Sequence, residues 1–166
     1  MNKLYVLIGC PGSGKSYFAT HSHNLQDAVY VSRDDVRLSM ISDTDKYFSK
    51  EDDVYDKFVQ IIADNLNSGK DVIADATHLT YTSRKLLFNT IKAKYPNLKY
   101  KAIAIVMETS LETSIEQNAT RTGRRNVPND VIKSMYNRFQ FPLTKEGFSQ
   151  IFKVNHGVVT EIEEVD

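Results

Sequence analysis

The sequence predicts an α/β fold, a three-layer sandwich in which helices cover both faces of a five-stranded parallel sheet. Two patterns carry that prediction. Short continuous apolar runs alternate with segments of helical periodicity, as buried parallel strands and their crossover helices do. The first of those runs, Leu4 to Ile8, leads directly into a glycine-rich turn. A length of 166 residues, 41% apolar and 25% charged, fits a single domain over residues 1–166 with a core of its own.

The elements follow in order. Leu4 to Ile8 is the first strand, and a helix is expected from about Lys15 to His21. Ala28 to Val31 is the second strand, after which a helix opens near Asp35, acids being favoured at the positive end of a helix. Ser42 to Tyr47 is polar and reads as a surface loop. Ser49 to Asp52 resembles a capping box, and Val54, Phe58, Ile61, Ile62 and Leu66 fall on one face of the helix that follows. Asn67-Ser68-Gly69 stops that helix. Asp71 to Asp75 is the third strand, and Thr82 or Ser83 is the expected cap of a helix running to about Lys94. Lys101 to Met107 is the fourth strand, with a helix from about Leu111 to Ala119 behind it. An arginine-rich turn, Arg121 to Arg125, leads to a helix with Pro128 at its first position. Gln150 to Val154 is the fifth strand, and the acidic tail after Thr160 is expected to fray.

Bulk composition narrows the function classes. Formal charge is zero, so no global positive field advertises a nucleic-acid partner, and any such binding must come from a local patch. Cys10 is the only cysteine, which rules out a disulfide framework and suits a reducing, cytoplasmic setting. The apolar run before the glycines is too short for a signal-peptide core or a membrane span, and no other stretch approaches membrane length. No membrane partner is expected.

Gly9-Cys10-Pro11-Gly12-Ser13-Gly14-Lys15-Ser16 completes the pattern G-x-x-x-x-G-K-[S/T] between a strand and a helix. The glycines let backbone N–H groups wrap phosphates, Lys15 adds a point charge, and the Ser16 hydroxyl is placed to ligate Mg²⁺. This P-loop assigns Gly9, Pro11, Gly12, Ser13, Gly14, Lys15 and Ser16 to a bound nucleoside triphosphate. No Asn-Lys-x-Asp guanine-reading element is present, which argues against a GTPase. The length leaves no room for the sensor and lid domains of ring ATPases.

A kinase needs an acceptor site, a base for the acceptor hydroxyl and cations for the transferring phosphoryl group. Asp34 and Asp35 follow the second strand on the same carboxyl edge as the P-loop, where open parallel sheets bind ligands. Asp34 is the candidate base and Asp35 the candidate helix cap. Arg37, one turn on, is a candidate contact for an acceptor phosphate or else a lone surface arginine. Asp75 closes the third strand, the usual way to bring a carboxylate near Mg²⁺; a strand-end turn residue is the structural alternative. Arg121, Arg124 and Arg125 make a candidate lid over about residues 119–128, with Arg121, at the helix-to-turn junction, the first choice to meet the phosphoryl group.

These pieces together resemble the 5′-kinase module of the polynucleotide kinase family. Residues 9–16 look like the P-loop of the phage polynucleotide kinases. Asp34-Asp35-Val36-Arg37 is similar to their Asp-Asp-x-Arg element, whose first Asp is the general base and whose Arg binds the acceptor's 3′-phosphate. Arg121, followed by Val127-Pro128 and a Met135-Tyr136 helix, is similar to their lid. Asp75-Ala76-Thr77-His78 looks like the Asp-x-Thr-Asn of the animal DNA-repair enzymes, with His78 in place of Asn. Phe141 to Phe148 resembles a Pro-Thr-x-x-Glu-Gly-Phe element of that group. The resemblance implies a P-loop kinase fold, ATP and Mg²⁺ as cofactors, and nucleic acid 5′-OH ends as substrate. It also implies Asp34, Arg37, Asp75 and Thr77 on the substrate side, Arg121 and Arg124 on the nucleotide, and partnership with a ligase or phosphatase. A kinase of small-molecule hydroxyls and a non-enzymatic nucleotide-binding regulator are the competing readings.

One local patch could serve a nucleic acid. From Arg84 to Lys101 the basic residues Arg84, Lys85, Lys92, Lys94, Lys99 and Lys101 occur with no acidic residue, and Tyr95 and Tyr100 interleave. Basic residues with aromatics can track a single strand; a solvated helix face is the simpler reading.

Overall fold

The computed structural model describes residues 1–163. Its strands are β1 (Asn2–Ile8), β2 (Val29–Ser32), β3 (Val72–Asp75), β4 (Tyr100–Met107), β5 (Phe148–Asn155) and β6 (Val158–Ile162). Among the described residues they form one sheet in the order β2-β3-β1-β4-β5-β6. The first five are parallel, and β6 runs antiparallel to β5.

The expected all-parallel, five-stranded sheet is therefore corrected to six strands. The cause is a two-residue turn at His156 and Gly157, with φ of 47° and 77°. A turn with both central residues at positive φ matches the twist of the strands it joins. The β-branched run Val158-Val159-Thr160 then pairs back on Val154, Asn155 and Lys153. Glu161 and Ile162, expected to fray, pair with Phe152 and Ile151; the rest of that tail, residues 164–166, lies outside the described residues.

Strand β1 sits between β3 and β4 and is buried on both faces. Leu4, Val6 and Ile8 point to one side, where they meet Val54, Phe58 and Ile62 of α3 (Glu51–Asn67) and Leu87 and Ile91 of α4 (Tyr81–Lys94). Leu7 points to the other side and packs with Ile73, Ile105 and Ala19 of α1 (Lys15–His21). Each large apolar side chain so buried contributes about 1.5–3 kcal/mol. The remaining helices are α2 (Arg33–Met40), α5 (Leu111–Ala119) and α6 (Asn129–Arg138).

Helix starts depart from expectation in instructive ways. Helix α2 opens at Arg33, and its cap is Ser32, whose Oγ accepts from the Asp35 amide at 3.2 Å. Asp35 is thus not the cap. The box expected at Ser49–Asp52 does not form: Lys50 precedes α3 without a side-chain cap, and Glu51, Asp52 and Asp53 complement the helix dipole instead. In α4 the box is made by Thr80 with Ser83. Pro128 stands just outside α6 rather than at its first position.

Arg84 is fully buried, which removes it from the supposed basic surface. Its Nε and Nη2 donate to Glu146 at 2.9 and 3.2 Å, Nη1 to the His78 carbonyl at 2.8 Å, and Nη2 to the Gln140 carbonyl at 2.9 Å. Glu146 also accepts from the Leu143 amide at 2.7 Å. One guanidinium thereby staples α4, the loop after β3 and the segment before β5. Of the other basic residues, Lys94 pairs with Asp56 at 2.7 Å. Lys92, Lys94, Lys99 and Lys101 lie where α4 ends and β4 begins, at the sheet edge away from the P-loop.

His78 is buried with φ of 45°. Its Nδ1 lies 2.9 Å from the Leu7 carbonyl; facing a carbonyl, Nδ1 carries the proton and pins the loop after β3 to β1. Burial pushes its pKa down to about 4, against the opposing pull of that hydrogen bond.

Two outcomes follow for stability. Glu146→Ala strands a buried guanidinium, so chemical denaturation should give a folded state weaker by about 3–5 kcal/mol. His78 is neutral when folded but takes up a proton near the ordinary histidine value of 6.5 once unfolded. Stability is then full above that value and declines as pH falls from 6.5 to about 4. Denaturation midpoints across this window should fall for the native protein and stay nearly level for His78→Gln.

Candidate active site at the carboxyl edge of the sheet

The P-loop leaves β1 at Ile8 and enters α1 at Lys15, so its amides face the helix N-terminus, the positive end of the dipole. Gly12 and Gly14 adopt φ of 80° and 90°. At Gly12 the constraint is also steric: a Cβ would lie 2.1 Å from the Ser114 carbonyl oxygen and 2.8 Å from the Asn118 amide nitrogen of α5. The Gly9 amide donates to the Thr77 carbonyl at 3.1 Å, and the Ser13 amide to the Cys10 carbonyl at 3.0 Å. Lys15 Nζ folds across the loop to the Cys10 carbonyl at 3.5 Å. Cys10 itself is buried, and burial raises its thiol pKa against the lowering effect of Lys15.

The register that sets Leu7 opposite Asp75 brings the end of β3 beneath the P-loop helix. Ser16 Oγ donates to Asp75 Oδ2 at 2.6 Å, and the Tyr30 hydroxyl donates to the same oxygen. A hydroxyl and a carboxylate are hard oxygen donors of the kind Mg²⁺ takes, so Ser16 and Asp75 fit that ion. Among the described residues no group of three or more His, Cys, Asp or Glu side chains could hold a metal by itself.

Asp34 lies in the first turn of α2 and is bracketed by cations and a phenol. Its Oδ1 accepts from Arg37 Nη1 at 2.6 Å and from the Tyr47 hydroxyl at 3.1 Å, and its Oδ2 is 3.5 Å from Arg121 Nη2. Burial alone would raise its pKa, but Arg37, Tyr47, Lys15 and Arg121 together lower it. The carboxylate is ionised at neutral pH and able to accept a hydrogen bond from a hydroxyl.

Arg37, expected as an open anchor, is only 5% exposed. Its Nε and Nη2 bond Glu51 at 2.9 and 2.6 Å while Nη1 bonds Asp34. The rings of Tyr47 and Phe48 lie under its guanidinium. The loop of residues 42–47, read as plain surface, thus delivers Tyr47 to the site.

The Arg121–Arg125 turn reaches toward α2. Arg125 pairs with Asp35, and Arg124 donates to the carbonyls of Asp43 and Asp45, each at 2.6 Å. The turn is pinned at its far end by Asn118, which is 1% exposed. Its Nδ2 donates to the Val127 carbonyl at 2.7 Å and its Oδ1 accepts from the Val127 amide at 3.0 Å. A cavity of about 160 Å³ lies between Gly12, Gly14, Lys15 and Ser16 on one side and Gln117 and Arg121 on the other. A larger one, about 660 Å³, adjoins it and is lined by Tyr17, His21, Gln117, Asn155 and His156.

The fold thus brings the P-loop, Asp75, Asp34 and Arg121 to one edge, whereas Arg124 is turned onto the 42–45 backbone. Tyr30, Tyr47 and Asn118 are additions that no sequence motif marked, and Glu51, expected in a capping box, instead binds Arg37. Tyr30 carries no local signal, because its partner is 45 residues distant.

Comparison with known proteins agrees with this fold. A candidate bifunctional polynucleotide kinase/RNA ligase of Autographa californica nuclear polyhedrosis virus is 26% identical over 150 residues, 82% of this chain and 21% of that protein. The L-seryl-tRNA(Sec) kinase of Methanococcus maripaludis is 29% identical over 147 residues, 86% of this chain and 54% of that protein. The chain therefore spans about a fifth and about half of the length of these two relatives. Among solved structures, a chain of the Pnkp1/Rnl/Hen1 RNA repair complex superposes with a TM-score of 0.66 at 26% identity, over 89% of this chain and 46% of that one. The AAA domain family matches residues 4–142, a span that runs from β1 through the P-loop, Asp34, Asp75 and the arginine turn. The chain belongs to the AAA domain family, in the form of a P-loop kinase fold.

Proposed function

We propose that this P-loop phosphotransferase is an ATP-dependent polynucleotide 5′-hydroxyl kinase, moving the γ-phosphoryl group of ATP onto 5′-OH ends of DNA or RNA. The observation that carries the reading is Asp34: an ionised carboxylate 3.5 Å from Arg121, on the same sheet edge as the P-loop.

In this reading the adenine enters the 660 Å³ cavity beside Tyr17 and Gln117. The phosphates then run past Gly14 into the 160 Å³ space between Lys15 and Arg121. Mg²⁺, held by Ser16 and Asp75, supplies charge neutralisation on the phosphates when bound. Asp34 orients the acceptor hydroxyl and takes its proton. Arg121 exchanges the Asp34 carboxylate for the developing charge on the phosphoryl group, and Arg124 joins the nucleotide after leaving the 42–45 carbonyls. Thr77, tied to the loop through Gly9, stands on the acceptor side. Arg37 contacts an acceptor phosphate by giving up its bond to Asp34 and keeping Glu51. Residues 119–128 act as the lid.

A polynucleotide acceptor is supported by two of the relatives, one named for polynucleotide kinase and RNA ligase activities and one a chain of an RNA repair complex. The 5′-phosphate end so formed is what a strand-joining ligase consumes, which makes a ligase the natural functional partner, in the cytoplasm. Among the described residues no helix is long and apolar enough to cross a membrane. One observation favours a second reading, a kinase of small-molecule hydroxyls: the Arg37 guanidinium is already filled by Glu51 and Asp34.

Incubation with Mg²⁺, γ-labelled ATP and a 5′-OH oligonucleotide should label the 5′ end. Asp34→Ala should lower kcat by about 10²–10⁴-fold while ATP still binds. Label on nucleosides or sugars but on neither DNA nor RNA would overturn the polynucleotide reading in favour of the second.

A further inference from the structure

We infer that Tyr30 is a positioning residue for the divalent-cation site, holding the Asp75 carboxylate in place for an ion shared with Ser16. The inference rests on the assignment of Ser16 and Asp75 to Mg²⁺, and on nothing about the acceptor.

The sheet dictates the contact. Strand β2 pairs with β3 in parallel, with Tyr30 opposite Ile73 and Ser32 opposite Asp75. A tyrosine at this register has the length to reach along the sheet to the end of β3, and its hydroxyl donates to Asp75 Oδ2. Ser16 Oγ donates to that same oxygen at 2.6 Å. Two hydroxyls on one oxygen fix the carboxylate rotamer, in a residue only 4% exposed.

The two donors are not equivalent. Ser16 belongs to the P-loop and must turn its oxygen to whatever the loop binds. Tyr30 lies outside the loop, so its bond to Asp75 can persist as the site fills. The ring itself only packs against the Leu7, Ile73 and Ala19 cluster, a task phenylalanine performs equally well. The hydroxyl therefore has a purpose apart from packing. Residues that orient a metal's ligands typically change metal affinity by about 10–100-fold when removed.

Tyr30→Phe removes the hydroxyl and keeps the ring. ATP affinity would be measured by calorimetry, first in EDTA and then at increasing Mg²⁺, with the thermal midpoint recorded for both proteins. The expected result is ATP binding in EDTA within about twofold of the native protein, and a Mg²⁺ concentration for half-maximal tightening raised about 10-fold. An unchanged Mg²⁺ requirement, with or without a lower thermal midpoint, would assign Tyr30 to packing alone and overturn the inference. Equal weakening with and without Mg²⁺ would do the same. Native protein whose ATP binding ignores Mg²⁺ would overturn the cation assignment and the inference together. Neither arm contains an acceptor, so failure of the polynucleotide reading cannot imitate any of these results.

Discussion

The closeness of Gly12 to α5 is the constraint on which the active edge depends. Backbone meets backbone there, leaving no room for even a methyl group beside Ser114 and Asn118. The same Asn118 grips Val127 at the end of the arginine turn. The phosphate loop, α5 and the root of that turn therefore share one rigid junction. Arg121 follows the C-cap of α5, Thr120, so this junction places it beside the loop, which suits a group that must meet a phosphoryl oxygen.

On the opposite side, the site is organised by competition among charges. Glu51 serves both Arg33 and Arg37, at 2.7 and 2.6 Å. Burial would raise the Glu51 pKa, yet Arg37 and Arg33 overcome it and the net shift is downward. This clamp joins the starts of α2 and α3 and leaves one edge of Arg37 for Asp34. Asp34 thus faces Arg37, Arg121 and the Tyr47 hydroxyl, and none of these contacts is with another acid. A chain of zero formal charge has in this way concentrated its opposite charges where phosphate chemistry uses them.

Much of this was legible in the sequence because it is local. The P-loop spacing, the buried strands, the acids just after β2 and the acid closing β3 each declare themselves within about ten residues, and the parallel topology then brings them to one edge. What stayed hidden was set by distance or by turn chemistry. Arg84 looked like surface charge because Glu146, its partner, is 62 residues away. Ser32 displaced Asp35 as a cap because a serine hydroxyl caps a helix as well as a carboxylate does, and Asp35 found Arg125 instead. Strand β6 was missed because His-Gly is a weaker turn signal than Asn-Gly, although a β-branched run follows it.

Cys10 gives the loop a last property. The thiolate is the reactive form of cysteine, and here the sulfur is enclosed beside Leu79 and Ile132 with its proton held more tightly than usual. Oxidants and alkylating agents act on exposed, ionised thiols, so they find little to attack at the one sulfhydryl this chain carries.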